Sequence, residues 1–420
     1  MNVFENLESE VRSYSRSWPV VFDTAHGSRM TDVNGRSYLD FFAGAGALNY
    51  GHNPAVLQKP LIDYLTRGGV THGLDMMTVA KAEFLQTFQE LVLAPRGLDY
   101  KVQFPGPTGS NTVESALKLA RKVTGREAVI NFTNAFHGMT LGALSVTGNS
   151  MKRGGAGIPL VHATPMPYDN YFDGTVPDFM WLEALLGDSG SGLNEPAAVI
   201  VETVQGEGGI NPARIEWLQG LSDLCRRHGI LLIVDDVQMG VGRTGPFFSF
   251  EIAGIQPDIV CLSKSISGYG LPMALTLIKP EHDVWGPGEH NGTFRGFNPA
   301  FVTATAALRH FWADDALERS TLAKGERVAT ALGELAAVSQ AVELTPKGRG
   351  LARGLSFEQP ELAAKTCAAA FERGLLMETA GPSDEVMKIM PALTITDAEL
   401  DEGLALVADS VRAVTEGVSS

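Results

Sequence analysis

A lysine and an aspartate, each placed directly after an apolar run, are the residues of this sequence best suited to chemistry. Only Ser263 separates Lys264 from the run Ile259–Leu262, and Asp235 directly follows Ile230–Val234. Desolvation at the end of a buried strand lowers the pKa of a lysine, and a neutral amine can attack a carbonyl carbon. A solvated lysine and an aspartate that caps a turn would leave the same pattern. The pair therefore indicates carbonyl–amine chemistry but leaves a structural role open.

The segment Phe104–Gly125 has the composition of an anion-binding turn. Gly109 and Ser110 precede a stretch whose apolar residues have helical spacing. The first N–H groups of a helix, together with its dipole, favour a phosphate. Asn111 and Glu114, three residues apart, predict a capping box at the start of this helix. A plain strand-to-helix turn would have the same sequence features.

Two further groups of residues also follow apolar runs. Phe136 and His137 come after one run, and an aromatic ring there either packs on a planar ligand or belongs to the core. Glu202 and Glu207 come after another run, where acids beside glycines fit either a substrate site or a surface loop. A ligand with a phosphate, a basic ring nitrogen, an aldehyde and a planar ring would use all of these groups. The combination therefore predicts pyridoxal phosphate as the cofactor.

A second glycine pattern, Gly240–Gly245, fits the dinucleotide motif G-x-G-x-x-G. That motif is meaningful only where it closes a strand and opens a helix. Here it lags the preceding strand by several residues, and Pro246 follows in place of a helical run. An acidic strand end is also missing at about 20 residues beyond the motif. A nicotinamide cofactor is therefore not predicted.

The elements that must position these residues have an α/β pattern. Short apolar runs alternate with helical segments through the middle of the chain, which predicts βαβ units around a mostly parallel sheet. Ligands bind at the carboxyl edge of such a sheet. Since neighbouring side chains of a strand alternate faces, only one of Asp235 and Asp236 is expected to reach a ligand. The predicted strands are 101–104, 128–132, 197–201, 229–234, 259–262 and 273–278.

The flanking segments predict a smaller α+β unit built from both chain ends. Asn34-Gly35 is a strong hairpin turn between alternating residues of the segment 30–39. Toward the other end, helices are predicted over 299–316, 320–338 and 397–414, and strands over 350–357 and 386–391. The predicted division is an N-terminal segment 1–50 that contributes to the small domain, a large cofactor-binding α/β domain 51–315 and a C-terminal α+β part 316–420.

Composition excludes several classes of protein. The 420 residues carry a net charge of −15, which argues against a nucleic-acid binder. Residues 1–12 are acidic and polar, unlike a signal or transit peptide, and no run approaches the ~18 apolar residues of a membrane span. Cys225, Cys261 and Cys367 have neither disulfide nor zinc spacing, so no metal is predicted. We expect a soluble, cytoplasmic protein that contacts neither membrane nor nucleic acid.

The residues of two central segments together form a motif that is specific to one enzyme family. The motif consists of Asp235-Asp236-Val237-Gln238, then Gly242-Arg243-Thr244-Gly245, and Lys264 some twenty residues further on. It resembles the motif of the class III, or ω-, aminotransferases of the fold-type I pyridoxal-phosphate enzymes. The resemblance covers essentially the whole chain. It implies a large domain with a mostly parallel seven-stranded sheet sandwiched by helices, and a small α+β domain from both chain ends. It also implies amino-acid and oxo-acid substrates.

The resemblance implies roles for single residues around the cofactor. Lys264 is expected to bind the cofactor aldehyde covalently and then to move a proton, and Asp235 to keep the ring nitrogen protonated. Gln238 is expected to bond the phenolic oxygen of the ring. The remaining cofactor contacts expected from the family are Gly109 and Ser110 on the phosphate, Thr293 reaching in from a partner subunit, Phe136 on the ring face, and His137 beside it. The active unit is then at least a homodimer, and a tetramer is expected.

On the substrate side, the resemblance makes Glu207 the switch acid that lets one pocket accept both an ω-amine and glutamate. Asn49 and Lys388 are predicted to contact substrate. Many family members carry an arginine at the Lys388 position to bind a substrate carboxylate. Lysine is a point charge without the bidentate fork of arginine, so the geometry must differ. Two further departures are Asp236, where glutamate is more usual, and Asn111, where the phosphate loop commonly has glutamate.

Four segments narrow the resemblance to one subgroup of the family, which serves ectoine biosynthesis. They are 8–22, 40–54, 71–81 and 290–301. The implied reaction moves an amino group from L-glutamate to L-aspartate 4-semialdehyde. Ornithine, 4-aminobutyrate, or diaminobutyrate made for a siderophore or diaminopropane pathway stay open as alternatives, as does an isomerising pyridoxal-phosphate protein.

Overall fold

The computed structural model describes residues 3–172, 179–339 and 341–416. Its α-helices are α1 Val3–Leu7, α2 Tyr14–Ser17, α3 Ala43–Gly46, α4 Ala55–Thr66, α5 Val79–Phe88, α6 Gly109–Thr124, α7 Leu141–Ser145, α8 Ser150–Gly154, α9 Met180–Gly187, α10 Ile215–His228, α11 Asn298–Phe311, α12 Ala316–Val338, α13 Pro360–Glu372 and α14 Asp397–Thr415. Its strands are β1 Phe22–His26, β2 Arg29–Asp32, β3 Ser37–Asp40, β4 Lys101–Gln103, β5 Val129–Phe132, β6 Ala163–Met166, β7 Ala198–Val201, β8 Val204–Gln205, β9 Asn211–Pro212, β10 Leu231–Asp235, β11 Ile259–Leu262, β12 Leu275–Ile278, β13 Leu344–Arg349, β14 Ala352–Phe357, β15 Leu375–Leu376, β16 Glu378–Ala380 and β17 Val386–Ile389.

A seven-stranded sheet occupies the centre of the chain, in the order β4-β12-β11-β10-β7-β5-β6. Neighbouring strands are parallel except at β12, which runs antiparallel to both β11 and β4. Every residue of β5, β7, β10, β11 and β12 is buried, as expected for continuous apolar strands covered on both faces. The six predicted strands are confirmed. The seventh, β6, was not predicted because it contains Pro165, which an edge strand tolerates.

The helix that follows β4 starts where the phosphate was expected, but its cap differs from the prediction. Thr108 is the N-cap residue, and its side chain accepts a hydrogen bond from the backbone N–H of Asn111. The predicted capping box of Asn111 and Glu114 is therefore wrong, since Glu114 lies inside the helix and accepts from the backbone N–H of Ala143 at 3.0 Å. The helix ends at Gly125, whose φ of +69° suits the left-handed C-cap.

The two chain ends meet in a separate sheet, β1-β2-β3-β15. The predicted hairpin is confirmed, because β2 and β3 pair antiparallel on either side of Asn34-Gly35. Strand β15, more than 330 residues later, pairs parallel with β3. Strands β13, β14, β17 and β16 form a further antiparallel sheet. These sheets fit a small α+β unit drawn from both ends, while the boundaries at 50/51 and 315/316 stay predictions.

The helices after the central sheet differ from the sequence prediction in one boundary. Helix α11 ends at Phe311 and α12 already begins at Ala316, where a single helix to 316 was expected. The carboxylate of Asp314 accepts from the backbone N–H of Ala316 at 2.9 Å and so satisfies a free donor at the start of α12. Spacing of alanine and leucine alone does not reveal such a break.

The core lies on both faces of the central sheet, with α11 packed against α4 and α5. Cys225, Cys261 and Cys367 are all buried and free. In the part of the chain that the structure describes, the helices are too short or too polar to cross a membrane. Because the core packs against both faces of the central sheet, it holds in place the strand ends at which the predicted site residues lie.

Candidate active site

A cavity of about 210 Å³ opens at the carboxyl edge of the central sheet. It lies where β5, β10 and β11 end and where α6 begins. The residues that line it are Thr108, Gly109, Ser110, Phe136, His137, Gly138, Met139, Glu202, Glu207, Asp235, Val237, Gln238, Met239 and Lys264. Eight of the eleven predicted site residues are thus brought together, and Asn49, Thr293 and Lys388 are not among the lining residues.

Lys264 begins a short 3₁₀ turn two residues after β11. Its backbone has a φ of +51°, a left-handed conformation that costs a side-chain-bearing residue roughly 1–3 kcal/mol. The ammonium Nζ donates to the backbone carbonyl of Ala45 at 2.9 Å. Burial lowers the pKa of Lys264, although the nearby carboxylate of Glu207 opposes the shift. The amine is therefore easier to deprotonate than an exposed lysine, as nucleophilic attack on an aldehyde requires.

Asp235 is the last residue of β10, and its carboxylate faces the cavity. Oδ2 lies 2.7 Å from Nδ1 of His137, and Oδ1 accepts from the backbone N–H of Val237 at 3.1 Å. Asp236 points the other way and bonds Ser249, whose backbone N–H donates to it at 3.0 Å. The expectation that only one of the two acids reaches the site is confirmed.

His137 is completely buried next to Asp235. Burial alone would lower the pKa of His137, but the hydrogen bond and charge of Asp235 raise it above its ordinary value. Its second ring nitrogen, Nε2, has no hydrogen-bond partner among the described residues. Glu202 is buried nearby and accepts from the backbone N–H groups of Phe136 and Gly206, both at 3.0 Å. Desolvation raises the pKa of Glu202 to about 7.

The start of α6 forms one wall of the cavity. Gly109 and Ser110 occupy the first helical positions, where backbone N–H groups have no acceptor inside the helix. Gly138 faces them with a φ of +132°, and a Cβ at that position would fall on Oγ of Ser110. A Cβ at Gly109 would come within 2.9 Å of Val237. Only glycine therefore fits at these two positions, which leaves a concave wall of free donors.

Gln238 links the lysine and glutamate sides of the cavity. Its Nε2 donates to the carbonyl of Ala45 at 2.9 Å and to Oε1 of Glu207 at 3.1 Å. The same carbonyl of Ala45 receives Nζ of Lys264. Both polar side chains are thus held on one backbone oxygen. The predicted contact of Gln238 with the cofactor stays a prediction.

Lys388 lies behind the cavity, buried between two carboxylates. Its Nζ is 2.7 Å from Oε1 of Glu207 and 2.7 Å from Oε1 of Glu378. Burial alone would lower the pKa of Lys388, but these two charges raise it above its ordinary value. In turn, the positive charges of Lys388 and Lys264 overcome burial and lower the pKa of Glu207. A substrate carboxylate at Lys388 stays a prediction and would have to compete with both acids.

Asn49 and Thr293 lie outside the cavity lining of this chain. The amide of Asn49 is fully buried, where Nδ2 donates to the carbonyl of Val241 at 2.9 Å and Oδ1 accepts from Arg243 at 2.6 Å. These bonds hold Arg243 inside the protein. Thr293 lies in the 3₁₀ segment Thr293–Gly296. A substrate contact of Asn49 and a phosphate contact of Thr293 from a partner subunit stay predictions.

Sequence reasoning missed three groups beside the site. The carbonyl of Ala45 belongs to a residue with a φ of +55°, which no sequence signal announced. Glu378 pairs directly opposite Lys388 across β16 and β17, and counting outward from the turn at Gly381 would have found it. Tyr14 lines a second cavity together with Glu207 and Glu378, and burial and the charges of these two acids raise its pKa.

The residues of the cavity fit pyridoxal phosphate. The wall of Gly109, Ser110 and Gly138 suits the phosphate, and the desolvated amine of Lys264 suits the aldehyde. The carboxylate of Asp235 suits a protonated ring nitrogen. Nε2 of His137, which lines the same cavity, is buried without a hydrogen-bond partner among the described residues. A ligand with polar groups on a flat ring would therefore complete the site.

Comparison with protein families agrees with this interpretation. The model of the family described as Aminotransferase class-III matches residues 11–411. A protein of Nocardia farcinica described as diaminobutyrate–2-oxoglutarate transaminase is 67% identical over 99% of this chain and 95% of its own length. A protein of Halalkalibacterium halodurans with the same description is 59% identical over 99% of this chain and 97% of its own length.

Solved structures have the same fold. An ornithine aminotransferase from Toxoplasma gondii, whose description records partial occupancy of PLP at the active site, has a TM-score of 0.84 and 26% identity over 99% of this chain and 94% of that one. A transaminase from the marine bacterium Virgibacillus has a TM-score of 0.85 and 20% identity over 98% of both chains. The seven-stranded α/β architecture expected from the sequence is therefore confirmed as that of the fold-type I enzymes.

Proposed function

This chain belongs to the class III aminotransferases, which depend on pyridoxal phosphate, and we propose that it transfers the amino group of L-glutamate reversibly to L-aspartate 4-semialdehyde. The products are L-2,4-diaminobutyrate and 2-oxoglutarate. The observation that carries the proposal is the identity of 67% over 98% of the chain to a Streptomyces coelicolor protein described as diaminobutyrate–2-oxoglutarate transaminase. Its cavity offers the amine, acid and anion site that the reaction requires.

Five lining residues would hold the cofactor. Lys264 would bind its aldehyde, Gly109 and Ser110 its phosphate, and Asp235 its ring nitrogen, while the ring of Phe136 lines the cavity beside them. When bound, pyridoxal phosphate supplies an aldehyde that accepts the amino group and a ring that holds the electron pair released from a broken C–H bond. The hydrogen bond to His137 Nδ1 keeps the carboxylate of Asp235 fixed in direction.

The protein itself must move one proton. The lowered pKa of Lys264 lets its ε-amine take a proton from the reacting carbon and return it to a neighbouring one. Positioned general-base catalysis of this kind contributes roughly 10²–10⁴-fold to a rate. The carbonyl of Ala45, 2.9 Å from Nζ, orients the amine toward the cavity. Glu207 would act as the switch acid, bonded at present to Gln238 and Lys388.

We further propose that the active unit is at least a homodimer, with a tetramer as the expected assembly. A patch of exposed apolar side chains surrounds the segment that carries Thr293. Met77 is fully exposed, and the neighbouring Met76, Val79 and Phe294 are more than half exposed. Several large apolar side chains exposed in neighbouring segments are typical of an interaction site. Sedimentation of the purified enzyme tests it, and a fully active monomer would contradict it.

The pathway and the compartment are part of the same proposal. We assign the reaction to the first committed step of ectoine biosynthesis, which supplies a compatible solute under osmotic stress, and we place the enzyme in the cytoplasm. Three buried free cysteines fit a reducing compartment. Neighbouring genes for an acetyltransferase and a cyclising synthase would support the pathway independently.

A substrate panel tests the reaction. Glutamate is offered as the amino donor with aspartate 4-semialdehyde, glutamate 5-semialdehyde and succinate semialdehyde as competing acceptors. The proposal requires the highest kcat/KM for aspartate 4-semialdehyde. A preference for glutamate 5-semialdehyde would make the enzyme an ornithine aminotransferase, and a preference for succinate semialdehyde would make it a 4-aminobutyrate aminotransferase.

A further inference from the structure

The two amino donors of the proposed reaction share one feature and differ in another. In glutamate, the side-chain carboxylate lies three carbon–carbon bonds from the carbon that reacts. In 2,4-diaminobutyrate, which reacts at its terminal carbon, the carboxylate also lies three bonds away. Only diaminobutyrate carries an additional ammonium, on the carbon next to that carboxylate. A site for both donors therefore needs one cation that serves both carboxylates and one acid that serves diaminobutyrate alone.

A second cavity, of about 370 Å³, adjoins the cofactor cavity and shares Glu207 with it. We call it the annex. Its lining carries charged side chains of both signs, in contrast to a hydrophobic side pocket. The lining residues are Ser13, Tyr14, Ser17, Trp18, Met151, Lys152, Glu207, Ala364, Cys367, Ala368, Met377, Glu378, Thr379 and Asp384. The annex is therefore placed and charged to receive the part of a substrate that projects away from the cofactor.

Lys152 is the cation available there. Among the described residues that line either cavity, the only lysines are Lys264 and Lys152, and none is an arginine. Nζ of Lys264 is held at the carbonyl of Ala45, and Lys388 behind the cavity is already paired with two acids. Nζ of Lys152 lies 4.3 Å from the ring centroid of Phe136 and has no carboxylate within ion-pair distance among the described residues.

Lys152 of the annex reaches the lining of the cofactor cavity at Phe136. The ring of Phe136 belongs to the lining of the cofactor cavity, so the ammonium above it lies where the two cavities adjoin. Residue Lys152 is held in α8, whose N-cap Asn149 accepts its backbone N–H at 3.0 Å. The backbone of Lys152 is thus fixed, while its ammonium has no ion-pair partner among the described residues.

Glu378 is the acid of the annex with a weakly bonded oxygen, Oε1, although Tyr14 also hydrogen-bonds its carboxyl group. Its side chain is 11% exposed, and Oε1 lies 2.7 Å from Nζ of Lys388 but receives no correctly angled hydrogen bond among the described residues. Nζ of Lys388 is instead aligned on Glu207 at 2.7 Å. Burial raises the pKa of Glu378, although the charges of Lys388 and Lys264 oppose the shift. A substrate ammonium beside Oε1 would likewise favour the ionised carboxylate, so this oxygen offers an acceptor to it.

We propose that the annex selects the substrate, with Lys152 binding the distal carboxylate of both donors and Glu378 binding the α-ammonium of diaminobutyrate. This assignment rests on the proposed function, since glutamate and diaminobutyrate are the donors whose shapes it explains. It applies equally to aspartate 4-semialdehyde, which keeps the same ammonium and carboxylate. Lys152 and Glu378 are then residues of substrate specificity, remote from the proton transfer at Lys264.

A matched pair of donors tests Glu378. Diaminobutyrate and 4-aminobutyrate have the same chain and differ only in the α-ammonium. Glu378→Gln should lower the ratio of their kcat/KM values by roughly 10- to 100-fold, the usual effect of losing a hydrogen bond to a charged group. The KM for glutamate should change less than about twofold. Glu378→Asp, which keeps the charge, should recover part of the ratio.

Asp384→Asn is the control, because Asp384 is an exposed acid of the same annex, bonded to Thr379 at 3.2 Å. It should leave the ratio unchanged. The assignment of Glu378 is overturned if Glu378→Gln lowers kcat/KM equally for all donors, or if Asp384→Asn alone lowers the ratio.

Binding of glutarate tests Lys152 without turnover, because glutarate has the carbon chain and both carboxylates of glutamate but no amine. Calorimetry on the cofactor-loaded enzyme should show a Kd at least tenfold weaker in Lys152→Met and near the original value in Lys152→Arg. An unchanged Kd in Lys152→Met overturns the assignment. If the unaltered enzyme prefers ornithine or 4-aminobutyrate to diaminobutyrate, the proposed function fails instead, and glutarate binding still decides the role of Lys152.

Discussion

The two edges of the central sheet carry the same residue types and use them differently. Each edge has an aspartate and a lysine next to buried strands. At the amino edge, Asp258 precedes β11 and Lys279 follows the antiparallel β12, whereas at the carboxyl edge Asp235 ends β10 and Lys264 follows β11. The strands are equally buried at both edges. The difference must therefore come from the partners that each side chain finds.

At the amino edge, the charges are matched and half-open to water. Asp258 accepts from the backbone N–H of Leu232 at 2.8 Å and from Nζ of Lys279 at 2.7 Å. The side chains of Lys279 and Asp258 are 26% and 19% exposed. Neither residue has a left-handed backbone. This arrangement links β10, β11 and β12 and leaves neither Asp258 nor Lys279 without a partner.

At the carboxyl edge, polar side chains are buried with some of their hydrogen-bonding atoms unpaired among the described residues. Lys264 has a left-handed backbone. In the part of the chain that the structure describes, its amine donates only to the carbonyl of Ala45, and His137 Nε2 is buried without a partner. Such strain and incomplete bonding persist only where the surrounding fold enforces them, and they cluster at functional sites. The contrast shows that a lysine at a strand end is available for chemistry when its amine lacks a carboxylate partner.

The largest expected effect is the loss of Lys264. Lys264→Ala removes both the covalent attachment and the proton carrier, so kcat should fall by more than roughly 10⁴-fold. The free energy of unfolding should stay within about 1 kcal/mol, because the buried amine has one hydrogen bond to lose. Steady-state kinetics, the visible cofactor band and borohydride trapping measure the first part, and urea unfolding measures the second. Turnover within tenfold of the original would refute the assignment.

Asp235→Asn should have the next largest effect. Asparagine keeps the shape but loses the charge that faces His137 and the expected ring nitrogen, so kcat should fall roughly 10²–10³-fold, as for loss of a preorganised electrostatic group. The pKa of His137, raised by Asp235, should drop, and NMR titration of the ring would detect it. Asp258→Asn is the matched change at the other edge and should leave kcat within about twofold. Equal losses in both variants would remove the functional contrast between the edges.

The carboxyl edge itself was predictable from sequence. Strands β10 and β11 are continuous apolar runs between glycine and proline signals, so the ends that carry Asp235 and Lys264 were located within one or two residues. The period of two also separated Asp235 from Asp236. These features are local, because a buried strand and the residue at its end are read from a few neighbouring positions.

What was missed depends on contacts between distant segments. Glu378 is linked to Glu207 through Lys388, and it lies more than 110 residues from Lys264 in sequence. Lys152 contacts Phe136 from a short helix whose sequence has no strong helical periodicity. The capping error at Asn111 has a similar cause, since two residues with capping chemistry lay within reach of the same helix start. Sequence spacing ranks such alternatives poorly until the tertiary partners are known.

The third prediction concerns the pH dependence of stability. Burial raises the pKa of Glu202 to about 7, above the roughly 4.3 of an unfolded chain. A raised carboxyl pKa gives a stabilising contribution that is complete below about pH 4.3 and is lost as the pH rises through about 7. The free energy of unfolding of the original enzyme relative to Glu202→Gln should therefore fall by about 3 kcal/mol across that window. Urea unfolding at a series of pH values measures it.

The amino edge provides the comparison for this prediction. Asp236, whose pKa burial raises to about 7, titrates in the same window but is present in both proteins and cancels in the difference. Unfolding of Asp258→Asn, at the amino edge, is measured over the same pH series as a control for substitution of an acid outside the site. A flat difference for Glu202→Gln would mean that the carboxylate is stabilised in its charged form by Phe136 and Gly206 as well as water would stabilise it.

The smallest expected effect is that of Lys279→Ala. The ion pair with Asp258 is partly open to water, where such pairs contribute ~0.2–1 kcal/mol, so the free energy of unfolding should fall by no more than about 1 kcal/mol. Asp258 keeps its bond from Leu232 and has His282 at 3.4 Å, so its charge is not left isolated. Added salt should shrink the loss, since it screens the exposed pair. Because no catalytic contact is removed, kcat should stay within about twofold. A larger loss of activity at this distance would mean that the two edges are coupled through β11 and β12, and that the division between a structural and a chemical edge is too simple.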